Sequence, residues 1–228
     1  MKFSNKKLII FDLDGTLIDS SPDLALAINH MLSTIGRETF STNTIHYWVG
    51  NGAQTLVKRA LSGSNTIDET IDPILFEKAL QIFLDFYAKN LAVETVTYPH
   101  VKETLTRLKE ENYTLTIVTN KPFAFVSPIL KALELDDFFE LILGGDSLKE
   151  KKPHPLPLLH VCETLNFNVN EAVMIGDSKN DILAANASHM QSIGLTYGYN
   201  YGEEISIYKP DAVFSDFSDI LSTLINGE

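Results

Sequence analysis

Cysteine is almost absent from this 228-residue chain. The single Cys162 rules out an internal disulfide and fits a reducing compartment such as the cytoplasm. With Val161 beside it and Leu159 just before, it reads as a buried helix position and not as a reactive thiol. Basic side chains are also scarce. The 18 Lys and Arg face 30 Asp and Glu, a formal net charge of -12. That balance argues against nucleic acid or an anionic membrane as the main partner. An anionic substrate would meet a repelling general field, so a local cation and a few placed basic groups would have to attract it. Long apolar runs are missing too. Only four apolar residues separate the basic N-terminal stretch, ending at Lys7, from Asp12, far too few for a signal peptide or a membrane span. No repeat or low-complexity tract is present, and the six histidines show no metal-site spacing.

What remains is an ordinary globular composition, 44% hydrophobic and 21% charged. The length suits one large domain, or one domain carrying a smaller insert. The stretch that organises the rest is Leu8-Ile9-Ile10-Phe11-Asp12-Leu13-Asp14-Gly15-Thr16. Its apolar half has the pattern of a central parallel strand covered on both faces. On a continuing strand Asp12 and Asp14 would point the same way, and two converging carboxylates at a buried strand end require a cation.

A helix starts near Ser20-Ser21-Pro22-Asp23 and carries Leu24, Ala27, Ile28, Met31, Leu32 and Ile35 on one face, with Gly36 as its stop. Further helices are predicted over Gln54 to Leu61 and from Asp72-Pro73 onward, and no strand is predicted between Ser20 and about Leu91. From Thr95 the pattern alternates. Helices over Val101–Lys109, Phe123–Ala132, Leu156–Thr164 and Asp181–Ala187 interleave with strands over Tyr113–Val118, Leu141–Leu143, Ala172–Ile175 and Ser192–Leu195; Ala212–Phe214 reads as an edge strand. This alternation implies an α/β fold, a doubly wound parallel sheet with right-handed crossovers. Residues 1–16 and 96–228 then form a Rossmann-like core, and 17–95 an inserted all-helical cap.

Ligands of such sheets bind at the carboxyl ends of the strands. Four predicted strands end in Asp12/Asp14, Thr119-Asn120, Gly144-Gly145-Asp146 and Gly176-Asp177, which should meet at one edge. These residue types suit phosphoryl transfer. An Asp carboxylate can attack phosphorus, and a second can protonate the leaving alkoxide and then activate water. Asp12, the backbone carbonyl of Asp14 and Asp177 form a set of hard oxygen ligands for Mg2+. A lysine would balance the charge and a threonine hydroxyl would hold a phosphoryl oxygen.

Together these residues resemble the haloacid dehalogenase superfamily, most closely its phosphoglycolate phosphatase-like members. The resemblance rests on Asp12-Leu13-Asp14-Gly15-Thr16-Leu17 with Asp19-Ser20, on Thr119-Asn120-Lys121, on Lys152-Pro153-His154-Pro155 and on Gly176-Asp177-Ser178-Lys179-Asn180-Asp181. The stretches Val49-Gly50-Asn51-Gly52-Ala53 and Lys58-Arg59-Ala60-Leu61 extend it into the cap. It implies Asp12 as nucleophile and Asp14 as general acid/base, Thr119 and Asn120 as substrate-binding residues, and Lys152 as the group neutralising nucleophile and phosphate. Asp177 would ligate the metal with Asp12 and Asp14, and Asp181 would act through a metal-bound water or hold its loop. The implied activity is Mg2+-dependent hydrolysis of a small phosphorylated metabolite, 2-phosphoglycolate first. A phosphosugar phosphatase or a mutase of the same fold is the nearest alternative. Asp14 argues against a dehalogenase, since a halide needs no proton. A phospho-receiver places its acidic pair, phosphorylated Asp, Thr and Lys in another order. His100 follows Tyr98-Pro99 where many relatives have glycine, a change confined to the hinge. Lys151 is read as surface charge, Trp48 as core or cap-to-base contact, and Gly50-Asn51-Gly52 as a turn or a loop touching substrate. The sequence leaves monomer and homodimer open.

Overall fold

A computed structural model describes residues 3–225. Strand β1 (Leu8–Phe11) lies in the middle of a six-stranded parallel sheet, and all four of its side chains are fully buried. Leu8 and Ile10 enter the hydrophobic cluster on one face, Ile9 and Phe11 the cluster on the other. Burial of this kind is worth about 1.5–3 kcal/mol per side chain, and a strand covered on both faces cannot alternate with polar residues.

The chain leaves β1 through β2 (Ile18–Asp19) and forms α1 (Ser21–Thr34), α2 (Thr42–His46), α3 (Ala53–Ser62) and α4 (Pro73–Tyr87). It returns through β3 (Val96–Thr97), which pairs antiparallel with β2. Then follow α5 (Val101–Glu110), β4 (Thr114–Val118), α6 (Phe123–Ala132), β5 (Leu141–Leu143), α7 (Leu156–Thr164), β6 (Ala172–Gly176), α8 (Lys179–Ala187), β7 (Gln191–Leu195), β8 (Ala212–Phe214) and α9 (Asp219–Leu224). The sheet order is β5-β4-β1-β6-β7-β8, so strand order reverses beside β1. Phe11 is in register with Ile117 on one side and Ile175 on the other, which brings Asp12, Thr119 and Asp177 out at the same sheet edge. That is the switch point at which such sheets bind ligands.

Three details differ from the sequence reading. A short ribbon closes the base of the insert, Ile18–Asp19 of β2 pairing with Val96–Thr97 of β3 just beyond it, while the insert between them is helical as expected. Two residues per strand carry no periodic signal; they pair because the chain leaves and re-enters at one place. Helix α2 is also unforeseen: it has five residues, a Ser41 cap accepting from Thr44 N at 3.1 Å, and only Ile45 buried. Helix α9 is the third.

Asp23, in the first turn of α1, ties the exit to the return. Its buried carboxylate accepts from the backbone N–H groups of Val93, Glu94 and Thr95 and from the Thr95 hydroxyl, at 2.6–3.1 Å. Cys162 is buried in α7, where burial pushes its thiol up to about 11 and keeps it protonated, as its apolar neighbours predict. No helix among the described residues is long and apolar enough to cross a membrane.

Candidate active site

Asp12, Asp177 and Asp181 come together beyond the ends of β1 and β6, with carboxylate oxygens within 4.8 Å of one another. All three are buried. Each is fixed by its own surroundings. Asp12 Oδ1 accepts from Leu13 N at 2.7 Å and pairs with Lys152 Nζ at 2.9 Å. Asp177 accepts from the Thr16 hydroxyl at 2.5 Å and from Tyr199 N at 2.6 Å. Asp181 Oδ2 accepts from Ser178 N and Oγ in a capping box at the start of α8, while its Oδ1 takes Lys152 Nζ at 2.6 Å. Capping and charge placement are thus one arrangement.

Gly15 makes the close approach possible. Its φ of +92° is a conformation that residues with a Cβ rarely adopt, and a Cβ there would overlap the Asp177 carboxylate. The same turn separates two side chains expected to point together. The chain leaves the strand at Asp12, so Asp12 reaches Lys152 while Asp14 turns to the Ser20 hydroxyl at 2.5 Å and to Lys121 Nζ at 3.0 and 3.1 Å.

Three carboxylates around one ammonium leave a net charge of -2 in a buried volume. Burial raises the Asp12 carboxyl to about 7, with Lys152 pulling it down and Asp181 pushing it up. Asp177 rises well above the ordinary carboxylate range for the same first reason, with Asp181 and Asp12 adding to it. Burial works against the Lys152 ammonium, but Asp12 and Asp181 outweigh it and raise its pKa. An all-oxygen donor set with two negative charges to spare fits a hard divalent cation. The Asp14 carboxylate lies outside this cluster, so its expected part in metal binding rests on its backbone oxygen.

Thr119 Oγ1 accepts from Lys121 N at 3.1 Å, which leaves its hydroxyl hydrogen to donate to an incoming oxygen. Asn120 is held differently from a phosphate ligand. Its Nδ2 donates to Gly50 O at 3.1 Å and to Lys152 O at 3.0 Å, so what it offers an incoming group is the acceptor Oδ1, unpartnered and buried. Asp146 does not reach the site either, because its carboxylate accepts from Phe123 N at 2.8 Å and starts α6, whose N-cap is a proline. Lys121, quoted in the sequence without a role, is the residue that sequence reasoning missed. Its side chain is 2% exposed, held by the half-buried carboxylate of Asp14 and lying over the Tyr87 ring.

Across the cleft, the loop Gly50-Asn51-Gly52 ahead of α3 is grasped from three strand-end loops of the sheet and from the first turn of α8. Asn120 and Asn180 donate to Gly50 O, Lys151 Nζ donates to Asn51 O at 2.8 Å, and the Tyr201 hydroxyl donates to Asn51 Oδ1 at 2.7 Å. Lys151 is therefore a bridge to the helical insert and not plain surface charge. Trp48 is buried against Phe40 inside the insert. Gly50 has φ +116°, and a Cβ there would come within 2.6 Å of the Tyr201 hydroxyl. The Tyr201 ring lies between Arg59 of α3 at 5.1 Å and Lys179 of α8 at 4.8 Å, joining both sides by cation–π contact. Tyr201→Phe keeps the ring and deletes the grip on Asn51. Faster amide hydrogen exchange over residues 49–53, with unchanged exchange in β1 and β6, is the expected outcome; equal protection in both proteins would refute the latch.

Between the insert and the sheet lies a narrow cavity, open to solvent at its mouth, with Asp12, Asp14, Thr119, Asn120 and Lys121 at its floor. Its walls are apolar, built from Leu24, Val49, Leu56, Phe83 and Phe125 with the Tyr87 ring. Such a chamber can exclude water from a group held against the carboxylates and lysine at its floor.

Comparison with known proteins agrees with this geometry. The family model for haloacid dehalogenase-like hydrolases matches residues 9–195. A phosphoglycolate phosphatase of Colwellia psychrerythraea strain 34H is 52% identical over 98% of this chain and 99% of its own length. One from Psychrobacter arcticus is 50% identical over 98% and 97%. Among solved structures, a crystal structure described as a predicted phosphoglycolate phosphatase from Haemophilus somnus 129PT superposes with a TM-score of 0.89. It is 42% identical, with 96% of this chain and 98% of that one covered.

Proposed function

Because the chain belongs to the haloacid dehalogenase-like hydrolase family, we propose that it is a Mg2+-dependent phosphomonoesterase whose substrate is 2-phosphoglycolate. The observation that carries this reading is the division of carboxylates in the site. Asp12 lies with Lys152 beside two further acids, while Asp14, two residues on, faces a separate lysine.

In the proposed reaction the Asp12 carboxylate attacks phosphorus, a P–O bond to Asp12 forms, and the ester P–O bond breaks. In this step Asp14 serves as the general acid to the departing alkoxide. A water then attacks the aspartyl-phosphate; Asp14 takes its proton, the bond to Asp12 breaks, and phosphate leaves. Thr119 donates to a phosphoryl oxygen. Lys152 holds the nucleophile in place and offsets the charge that builds at the phosphoryl group. Asp181 acts as a positioning residue that holds Lys152. Bound at Asp12, Asp177 and the Asp14 backbone, Mg2+ would neutralise charge at the phosphoryl oxygens. The insert, residues 17–95, serves as the cap that excludes water during the first step. A reducing cytoplasm suits the lone buried Cys162.

The cavity favours a short substrate over a phosphosugar. A hexose brings several hydroxyls, and walls of Leu24, Val49, Leu56, Phe83 and Phe125 would leave them without partners. The test is a panel of phosphomonoesters assayed with Mg2+ and with a chelator. Phosphoglycolate should have the highest kcat/KM, beyond hexose phosphates and pyrophosphate, and chelation should stop turnover and restore it on Mg2+ addition. No preference for phosphoglycolate would remove the substrate assignment, and activity persisting in chelator would remove the metal. At a hundredfold excess over its Kd the cation should also stabilise the fold by about 2.7 kcal/mol.

A further inference from the structure

Two buried side-chain polar atoms without a hydrogen-bond partner belong to residues lining the cavity, the Tyr87 hydroxyl and Asn120 Oδ1. Leaving a buried hydroxyl unpaired is costly, and phenylalanine would fill the same wall without that cost. The Tyr87 ring is well held. It stacks on Phe83 at 5.7 Å, meets Phe125 edge-on at 5.2 Å, and is 1% exposed. Lys121 Nζ lies over it, 4.9 Å from the ring centre. This ammonium spends two contacts on Asp14, and its remaining neighbour is the Tyr87 hydroxyl, whose own hydrogen stays available to donate.

We infer that Tyr87 and Lys121 form the subsite for the end of the substrate opposite its phosphate, and that this end is a carboxylate. The inference deepens the proposed phosphatase reading and rests on it for the position of the phosphate. A carboxylate needs donors. Tyr87 and Lys121 are donors facing the cavity, whereas Asn120 Oδ1 is an acceptor and would repel it. Burial, more than any neighbour, pushes the phenol up to about 12, so it remains a donor at neutral pH. Lys121 stands two residues after Thr119, the proposed phosphate donor, so the distance between the two subsites suits a short molecule. A chain of net charge -12 also has to supply local donors to hold a second anionic group.

The experiment compares phosphoglycolate with ethyl phosphate, which has the same length and no carboxylate, in the parent and in Tyr87→Phe. The variant should raise KM for phosphoglycolate roughly ten- to hundredfold with kcat little changed, since a hydrogen bond to a charged group is lost. Its kcat/KM for ethyl phosphate should stay within about twofold of the parent's. Glycolate binding, followed by calorimetry with Mg2+ present, should weaken by the same factor. Equal losses on both esters, or unchanged glycolate affinity in the variant, would overturn the subsite. A parent that binds glycolate through Tyr87 but hydrolyses neither ester would keep the subsite and discard the phosphatase reading, whereas a parent that binds no glycolate would discard the subsite.

Discussion

Asp12→Asn is expected to lower kcat by about 10⁴-fold or more, the scale on which covalent nucleophiles fail when replaced, and to leave the protein folded. An amide is nearly the same size as a carboxylate, keeps an oxygen for the Leu13 N–H, and removes one charge from a buried cluster that carries a net -2. Stability should therefore hold or rise. The pH dependence gives a second readout, in chelator. Burial raises the folded-state pKa of Asp12 from 3.8 to about 7, so the folded protein binds this proton more tightly than the unfolded chain. Its contribution is complete below about 4 and is lost as pH rises toward 7. The Asn variant should lose that part of the slope. Residual phosphatase activity above a thousandth of the parent's would sink the nucleophile assignment.

Lys152→Ala should have the larger effect on the fold. Its ammonium is 1% exposed and is the charge shared by Asp12 and Asp181. Without it the formal charge of the cluster goes from -2 to -3 among buried side chains. Removing one partner of a buried ion pair costs about 3–5 kcal/mol, enough to lower Tm by roughly 10 °C in a chain this long. Activity should vanish as well, since Asp12 loses the group that orients it. Urea unfolding with an unchanged m value would assign the loss to stability. The double variant with Asp12→Asn should lose less than the sum of the two single changes, because part of the cost is the unpaired carboxylate. A Lys152→Ala protein as stable as the parent would refute the charge-balance account. The sign at high pH follows from the raised pKa of Lys152. Its contribution is intact below the ordinary 10.5 and is lost only as pH climbs through the higher folded value.

Much of this was legible in the residues alone. The run Leu8-Ile9-Ile10-Phe11 could only be a strand covered on both faces, and alternating helices and strands after Thr95 imply a parallel sheet whose carboxyl ends meet. That reasoning brought Asp12, Thr119 and Asp177 to one edge without coordinates, since parallel strands present all their carboxyl ends on the same side. It did not reach elements too short for periodicity, namely α2, α9 and the β2–β3 ribbon.

Side-chain direction was beyond it too. Asp12 and Asp14 look equivalent at a spacing of two, yet the turn at Gly15 sends one to Lys152 and the other to Lys121. Asn120 was expected to bind substrate, and only the structure shows that its amide is spent on Gly50 and Lys152, leaving Oδ1 toward the cavity. Lys151 looked like solvated charge until its reach across the cleft to Asn51 was visible.

By itself, the sequence determined the class of fold, the edge of the sheet where chemistry collects, and the residue types suited to phosphoryl transfer. These follow from periodicity and from what strands ending in acids, threonine and glycine require. Only the tertiary structure decided which carboxylate faces which lysine, how Asp181 serves as cap and counter-ion at once, and that an unpaired Tyr87 hydroxyl closes the far wall of the cavity. The ion pairs among them join residues 29 to 140 positions apart, and no local pattern encodes a distance between them.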